Sequence, residues 1–154
     1  NPIRTGYSAI ADEWLPIRPG TDGALALAML RVMVVEAGKV DYAFLKKSTN
    51  GPYLIREDGQ YLRDGQSGKP MIWDGALGRA LAFDSAELGD SALEGTFTVG
   101  ISSARPAFQL LKDQLQKVSL EEMAEITTIP AATIRRLARE LAGAQAATIR
   151  GPVA

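Results

Sequence analysis

The sequence predicts an α/β protein, namely a Rossmann-like fragment with helices packed on a short parallel sheet and a small β-hairpin-rich insertion. Three observations predict this class. Apolar residues recur at helical spacing in the first and last thirds, whereas the middle third carries short β-prone pieces between glycine-rich turns. The chain opens abruptly on "N-P-I-R-T-G" and stops as a β-prone piece begins, as expected for an internal part of a larger protein. We predict segments 1–48, 49–102 and 103–154.

Residues 1–48 are expected to form a short strand, a loop and a very apolar helix. A helical turn near Ala9 and a brief buried strand over 14–17 come first. The main helix is expected over 23–37, where a single arginine interrupts the apolar run and a glycine follows the last turn. A helix that is apolar all round is typical of burial on most sides. A second short helix is expected over 40–47.

The middle segment, 49–102, is expected to be a β-rich insertion on the α/β core. Turn sequences such as "E-D-G-Q" and "R-D-G-Q-S-G-K-P" alternate there with β-prone pieces such as "Y-L-I-R" and "P-M-I-W-D". Short strands separated by glycine turns predict hairpins.

The last segment, 103–154, is expected to be helical and to lead into the next core strand. An apolar stripe at three- and four-residue spacing covers 108–118. Ser119 and Glu122 have the spacing of a capping box at the start of the next helix. A proline opens the helix after that, and the strand is expected over 146–150.

Two residue types are missing, and their absence excludes several classes of site. Without cysteine, the chain holds no disulfide, iron–sulfur cluster or thiolate zinc site. Without histidine, it holds no Ser-His-Asp triad and no histidine-ligated metal. The formal net charge of −1 favours neither nucleic acid nor an anionic membrane, and no apolar run is long enough to span a bilayer. We therefore expect no nucleic acid or membrane among the partners.

The loop "P-I-R-P-G-T-D-G" places a carboxylate where the main helix begins. Pro19 and Gly20 predict a tight turn, and Gly23 keeps side chains away from the space in front of it. One interpretation is that Thr21 or Asp22 caps the helix by accepting free backbone N–H groups. The other is that Asp22 binds a ligand. A carboxylate accepts parallel bonds from the ring N–H and the amino group of guanine, a pair of donors that adenine lacks.

The opening segment "N-P-I-R-T-G-Y-S-A-I-A-D-E-W-L-P-I-R-P-G-T-D-G-A-L-A-L-A-M" resembles the central region of molybdopterin oxidoreductases of the dimethyl sulfoxide reductase superfamily. Weaker similarity continues through "K-P-M-I-W-D", "P-A-F-Q-L-L" and "E-I-T-T-I-P-A-A-T-I-R-R-L-A-R-E-L-A". The resemblance implies part of a catalytic subunit that uses molybdopterin guanine dinucleotide (bis-MGD) with molybdenum or tungsten. The implied chemistry is two-electron transfer of the oxygen-atom-transfer type. The metal ligand and the cysteines of any iron–sulfur cluster are then expected upstream, so this chain supplies no catalytic residue and no metal ligand.

The same resemblance implies that the 1–48 segment contacts a nucleotide. Asp22 corresponds to the guanine-reading carboxylate, and Asn1 stands where many members have Asp, so its bond to a ribose hydroxyl would lack charge assistance. The residues implied to contact guanine, ribose or phosphate are Asn1, Pro2, Arg4, Thr5, Pro19, Gly20, Thr21 and Asp22. Expected partners are the remainder of the polypeptide, an electron-transfer subunit or carrier and a small-molecule substrate.

Two alternatives remain open on the residues alone. Residues 119–141 form a predicted helix pair joined by "T-T-I-P", with Arg135, Arg136 and Arg139 on the second helix. This is the pattern of a helix-turn-helix DNA-binding regulator. An acidic first helix and few spare cations count against it, because DNA binding requires several phosphates to be neutralised. The other alternative is a small interaction domain without a cofactor.

Overall fold

The computed structural model describes residues 3–144 of the chain, which form two compact units. The helical unit comprises residues 3–40 and 115–144, and the β unit comprises Asp41–Gln114. None of the helices within 3–144 is long and apolar enough to cross a bilayer.

Helices come first and last in the described range, and the five short strands follow one another between them. The helices are α1 (Asp22–Arg31), α2 (Tyr42–Ser48), α3 (Ala107–Lys117), α4 (Leu120–Thr127) and α5 (Ala131–Gly143). The strands are β1 (Leu54–Arg56), β2 (Met71–Asp74), β3 (Arg79–Ala82), β4 (Phe97–Val99) and β5 (Ser102–Pro106). A 3₁₀ turn covers Gly6–Ala9, and a π-helical turn, Val32–Glu36, continues α1.

The core of the helical unit lies where α1, α4 and α5 meet. Ala28 and Val32 on one side of the first helix pack against the buried Ile134, and Ile17 joins the same cluster. The helix predicted over 23–37 is confirmed, because α1 and the π turn together cover this stretch. Its burial is one-sided within residues 3–144, since Leu27 is 44% exposed.

The start of α4 carries the cap that the sequence predicts. The Ser119 hydroxyl oxygen accepts the Glu122 N–H at 3.2 Å, and Ser119 itself has extended backbone geometry. A hydroxyl in this position satisfies an N–H group that has no carbonyl partner within the helix. The capping interaction therefore fixes where α4 begins.

Replacing Ser119 with alanine should loosen the first turn of α4. Loss of such a cap costs about 1 kcal/mol, so amide exchange in that turn should accelerate about fivefold. Hydrogen exchange followed by mass spectrometry measures this locally. Ser119→Asp keeps an acceptor at the same place and should exchange at the wild-type rate. Equal exchange in the alanine and aspartate variants would contradict the assignment.

The β unit contains two small antiparallel sheets. One has the strand order β1-β5-β4 and the other pairs β2 with β3. Leu54, Leu62 and Ala104 form the buried centre, beside a stacked pair of Trp73 and Phe97 rings whose centroids are 4.5 Å apart. The predicted β-rich character of this part of the chain agrees with these sheets.

The predicted parallel sheet is not present within residues 3–144, where every strand pairing is antiparallel. The physical reason is that β2–β3 and β4–β5 are joined by turns of only a few residues, and parallel pairing needs a long crossover connection. The 14–17 segment, predicted as a strand, lies in no strand of the described range. The strand predicted over 146–150 lies outside the described residues.

A buried carboxylate organises the turns that follow β2. Asp74 has no exposed surface, and one of its oxygens accepts the N–H groups of Ala76 and Leu77 at 2.9 and 2.8 Å. The other oxygen accepts those of Gly89 and Asp90 at 2.7 and 3.0 Å. The bond from Leu77, followed by those from Gly89 and Asp90, lowers the pKa of Asp74 to about 2. One side chain thus joins two loops that are distant in sequence.

Candidate functional site

The predicted nucleotide loop, Pro19–Asp22, forms a tight turn at the start of α1. Gly20 has a φ of 77°, a left-handed conformation that a side chain would disfavour. The N–H and the hydroxyl of Thr21 both donate to the Arg18 carbonyl, at 3.3 and 2.7 Å. The Thr21 hydroxyl is therefore turned back into the loop and makes no cap bond to α1.

Asp22 is the first residue of α1, and it is exposed. Its carboxylate makes no hydrogen bond or ion pair with any residue between 3 and 144. Neither the Thr21 nor the Asp22 side chain therefore caps α1 in the described part of the chain. A negative charge in the first turn is also favoured by the partial positive charge of the helix N-terminus. The two carboxylate oxygens of Asp22 therefore accept no hydrogen bond from any residue that the structure describes.

The space beside this carboxylate is open. A Cβ placed on Gly20 or Gly23 would meet no heavy atom within 4 Å in the part of the chain that the structure describes. Pro19 and Gly20 are exposed, and Thr21 is half-buried. The donor-free carboxylate and the open turn together leave room for a ligand that presents N–H groups.

The opposite side of the loop is anchored to the helical unit. Ile17 is 5% exposed and belongs to the core cluster. The Arg18 N–H donates to the Thr127 carbonyl at 3.0 Å, and the Thr128 hydroxyl lies 3.3 Å from the Pro16 carbonyl. Thr127 and Thr128 are not among the predicted site residues. The signal available for them was the "T-T-I-P" turn between two predicted helices.

The remaining predicted site residues lie in the opening segment. The Arg4 guanidinium stands over the Trp14 ring, 4.9 Å from its centroid, and the Thr5 N–H donates to the Ser8 hydroxyl at 3.2 Å. Within residues 3–144, no hydrogen bond, ion pair or ring contact joins Arg4 or Thr5 to the Pro19–Asp22 loop. The predicted contacts of Asn1 and Pro2 lie outside the described residues.

The arginines of the helix-turn-helix alternative are paired with carboxylates. Arg135 lies 3.2 Å from Glu36 and 3.6 Å from Glu121, while Arg136 donates to Glu13. The bond to Glu13 raises the pKa of Arg136. A guanidinium that already neutralises protein carboxylates offers less charge to DNA phosphates, which disfavours the regulator.

Other features of the described chain do not form a competing site. A cleft of about 450 Å³ in the β unit is lined by Arg56, Thr96 and Arg105, and no predicted site residue reaches it. No group of three or more potential metal-ligating side chains occurs among residues 3–144.

The family of this chain follows from its similarity to known proteins. Over 92% of its length the chain is 39% identical to a sulfite dehydrogenase subunit of Allochromatium vinosum. Over 90% it is 33% identical to the alpha subunit of perchlorate reductase of Dechloromonas aromatica. Over 92% it is 31% identical to a putative dimethyl sulfoxide reductase catalytic subunit of Halobacterium salinarum. The chain belongs to the dimethyl sulfoxide reductase superfamily of molybdopterin oxidoreductases.

The superfamily resemblance that the sequence motifs predict is therefore confirmed. The matched region covers 16%, 19% and 18% of these three relatives, so the chain spans less than a fifth of the length of the superfamily members it matches. No family model matches the chain.

Proposed function

We propose that this chain forms one wall of the guanine-nucleotide site of a molybdopterin oxidoreductase, with Asp22 as the residue that selects the purine. The observation that supports this is the exposed Asp22 carboxylate, which has no protein partner within residues 3–144. Its two oxygens match the ring N–H and the amino group of guanine, and adenine offers no such pair of donors. Each charge-assisted bond contributes roughly 1.5–3 kcal/mol.

The neighbouring residues complete this wall. Pro19, Gly20 and Thr21 shape the turn around the base, because the Arg18–Thr21 bonds keep it tight and the glycine keeps it free of side chains. Arg4, held over Trp14, supplies a positive charge for a phosphate. Together with Arg4, the polar groups of Asn1, Pro2 and Thr5 are proposed to contact ribose and phosphate.

The proposed cofactor is bis-MGD, which would supply a molybdenum or tungsten centre for two-electron, oxygen-atom-transfer redox chemistry in the whole protein. The residues of this chain bind and orient its nucleotide end and do not act on the substrate. The metal ligand and any iron–sulfur cluster are proposed to lie elsewhere in the polypeptide, since this chain has no cysteine. We further propose a parallel Rossmann-like sheet contributed by the remaining polypeptide, a small-molecule substrate and an electron-transfer subunit or carrier.

The test is the nucleotide content of the purified full-length protein. Acid hydrolysis of a guanine dinucleotide cofactor releases GMP, which chromatography separates from CMP and AMP. We expect GMP in stoichiometric amount with molybdenum or tungsten. Protein that contains the metal and a pterin but no GMP would overturn the proposed role of the loop.

A further inference from the structure

We propose that Thr128 is a positioning residue that holds the Pro19–Asp22 loop in place for the nucleotide. The proposal rests on the function proposed above for Asp22. It concerns the α4–α5 turn (residues 128–130), which makes no contact with the nucleotide itself in this assignment.

The backbone of Thr128 is in an unfavourable conformation. Its φ of 63° and ψ of 16° are left-handed, and it is the single non-glycine residue with positive φ among residues 3–144. A β-branched side chain is strongly disfavoured in this region, whereas glycine adopts it without steric conflict. Strain of this kind persists only where the surrounding structure imposes it, as it does here at the C-terminal end of α4.

The Thr128 side chain makes a long-range contact that glycine would lack. Its hydroxyl lies 3.3 Å from the Pro16 carbonyl and 2.6 Å from the Thr127 carbonyl, so its single hydrogen is shared between these two acceptors. In addition, the Arg18 N–H donates to the Thr127 carbonyl at 3.0 Å. These bonds fall on either side of the buried Ile17.

The same bonds continue into the nucleotide loop. The Arg18 carbonyl accepts both the N–H and the hydroxyl of Thr21, and Asp22 is the next residue. A connected series of hydrogen bonds thus runs from Thr128 through the Thr127 carbonyl at the end of α4 and through Arg18 to the residue before the guanine-selecting carboxylate. Its anchor is firm, because Thr127 and Ile129 are almost fully buried in the helical unit.

These hydrogen bonds hold the Pro19–Asp22 loop in its binding conformation before the nucleotide binds. A carboxylate held in its binding geometry loses less conformational freedom on binding, and this increases affinity without adding a contact. The Thr128 hydroxyl thus holds Pro16 and, through the turn, the loop beyond it.

Three substitutions in the full-length protein separate the hydroxyl from the strain. Thr128→Val keeps the branched shape and loses the hydroxyl, Thr128→Ser keeps the hydroxyl, and Thr128→Gly loses the hydroxyl and relieves the strain. The measurements are GMP retained during prolonged dialysis, hydrogen exchange of the amides in 17–22, and the unfolding temperature. Because one neutral hydrogen bond is lost, we expect about threefold to tenfold faster loss of the cofactor, assayed as GMP after acid hydrolysis, and faster loop exchange in the valine variant.

The three variants should rank differently in GMP retention and in unfolding temperature. GMP retention should depend on the hydroxyl, so Thr128→Ser should be close to wild type, and Thr128→Val and Thr128→Gly should both be impaired. The unfolding temperature should follow the strain, with glycine equal to or above wild type. If retention instead follows the unfolding temperature across all three variants, Thr128 has only a structural role and the proposal is overturned.

A parallel measurement on Asp22→Asn distinguishes the two proposals. Unchanged GMP retention in that variant would overturn the nucleotide role of the loop. Unchanged loop exchange in Thr128→Val would overturn the positioning role, whatever the Asp22 result.

Discussion

Replacing Asp22 with asparagine should leave the full-length protein depleted of guanine nucleotide. The amide retains one acceptor oxygen, but its NH₂ group would face a guanine donor, and the charge assistance of both bonds is lost. A loss of about 1.5–3 kcal/mol corresponds to roughly tenfold to hundredfold weaker retention. The measurement is GMP released by acid hydrolysis per mole of protein after a fixed dialysis time.

Two further variants make this result specific. Glu125 is an exposed carboxylate on α4 of the same helical unit, so Glu125→Gln applies the same chemical change away from the loop and should retain GMP normally. Asp22→Glu keeps the charge on a longer side chain and should fall between wild type and asparagine. Equal retention in Asp22→Asn and Glu125→Gln would show that the carboxylate does not select the purine.

Replacing Asp74 with asparagine should destabilise the β unit strongly. The wild-type carboxylate accepts four backbone N–H groups with two oxygens, and the amide offers one acceptor oxygen and one donor nitrogen. Two of the N–H groups would then face another donor, and the turns after β2 would separate. We expect the unfolding temperature of the β unit to fall by roughly 5 °C or more.

The matched control is a neighbouring carboxylate on the surface. Asp90 forms an exposed ion pair with Lys46 at 2.7 Å, and such pairs contribute little, so Asp90→Asn should unfold close to the wild-type temperature. Calorimetry of the purified protein compares the two variants directly. A similar effect of both substitutions would mean that the buried hydrogen bonds are not the cause.

The depressed pKa of Asp74 also predicts a pH dependence with a definite sign. Its value of about 2 in the folded protein lies below the ordinary 3.8, so its stabilising contribution is complete above pH 4 and is lost as the pH falls towards 2. The difference in unfolding temperature between wild type and Asp74→Asn should therefore shrink across that interval. A difference that is constant from pH 4 to pH 2 would contradict the assignment.

The features that local sequence determines could be predicted. The length of the apolar run over 23–37 and the glycine after it indicate a helix, and Ser119 with Glu122 marks a helix start without reference to the rest of the molecule. The position of Asp22 at the start of a helix follows from the same local signals. The superfamily followed from motifs that are contiguous in the chain.

The features that were missed depend on residues far apart in sequence. Thr128 contacts Pro16 across 112 positions, and nothing in "T-T-I-P" indicates which segment the turn will meet. Asp74 was part of a β-prone piece, but its second oxygen binds a loop 15 residues away. The predicted parallel sheet was wrong for residues 3–144 because apolar helices suggested an α/β core, whereas β2–β3 and β4–β5 are tight hairpins and β1 pairs antiparallel with the distant β5.

The π turn after α1 has an evolutionary consequence. Because this turn holds one residue more than a regular helical turn, it lets Glu36 accept from Arg31 at 2.9 Å and from Arg135 at 3.2 Å. A homologue with a single deletion between 32 and 36 would form a regular α turn there, and the acid, now four residues after the arginine, would stay on the same face of the helix. Such a homologue should keep the acid, and the two arginines should vary together with it.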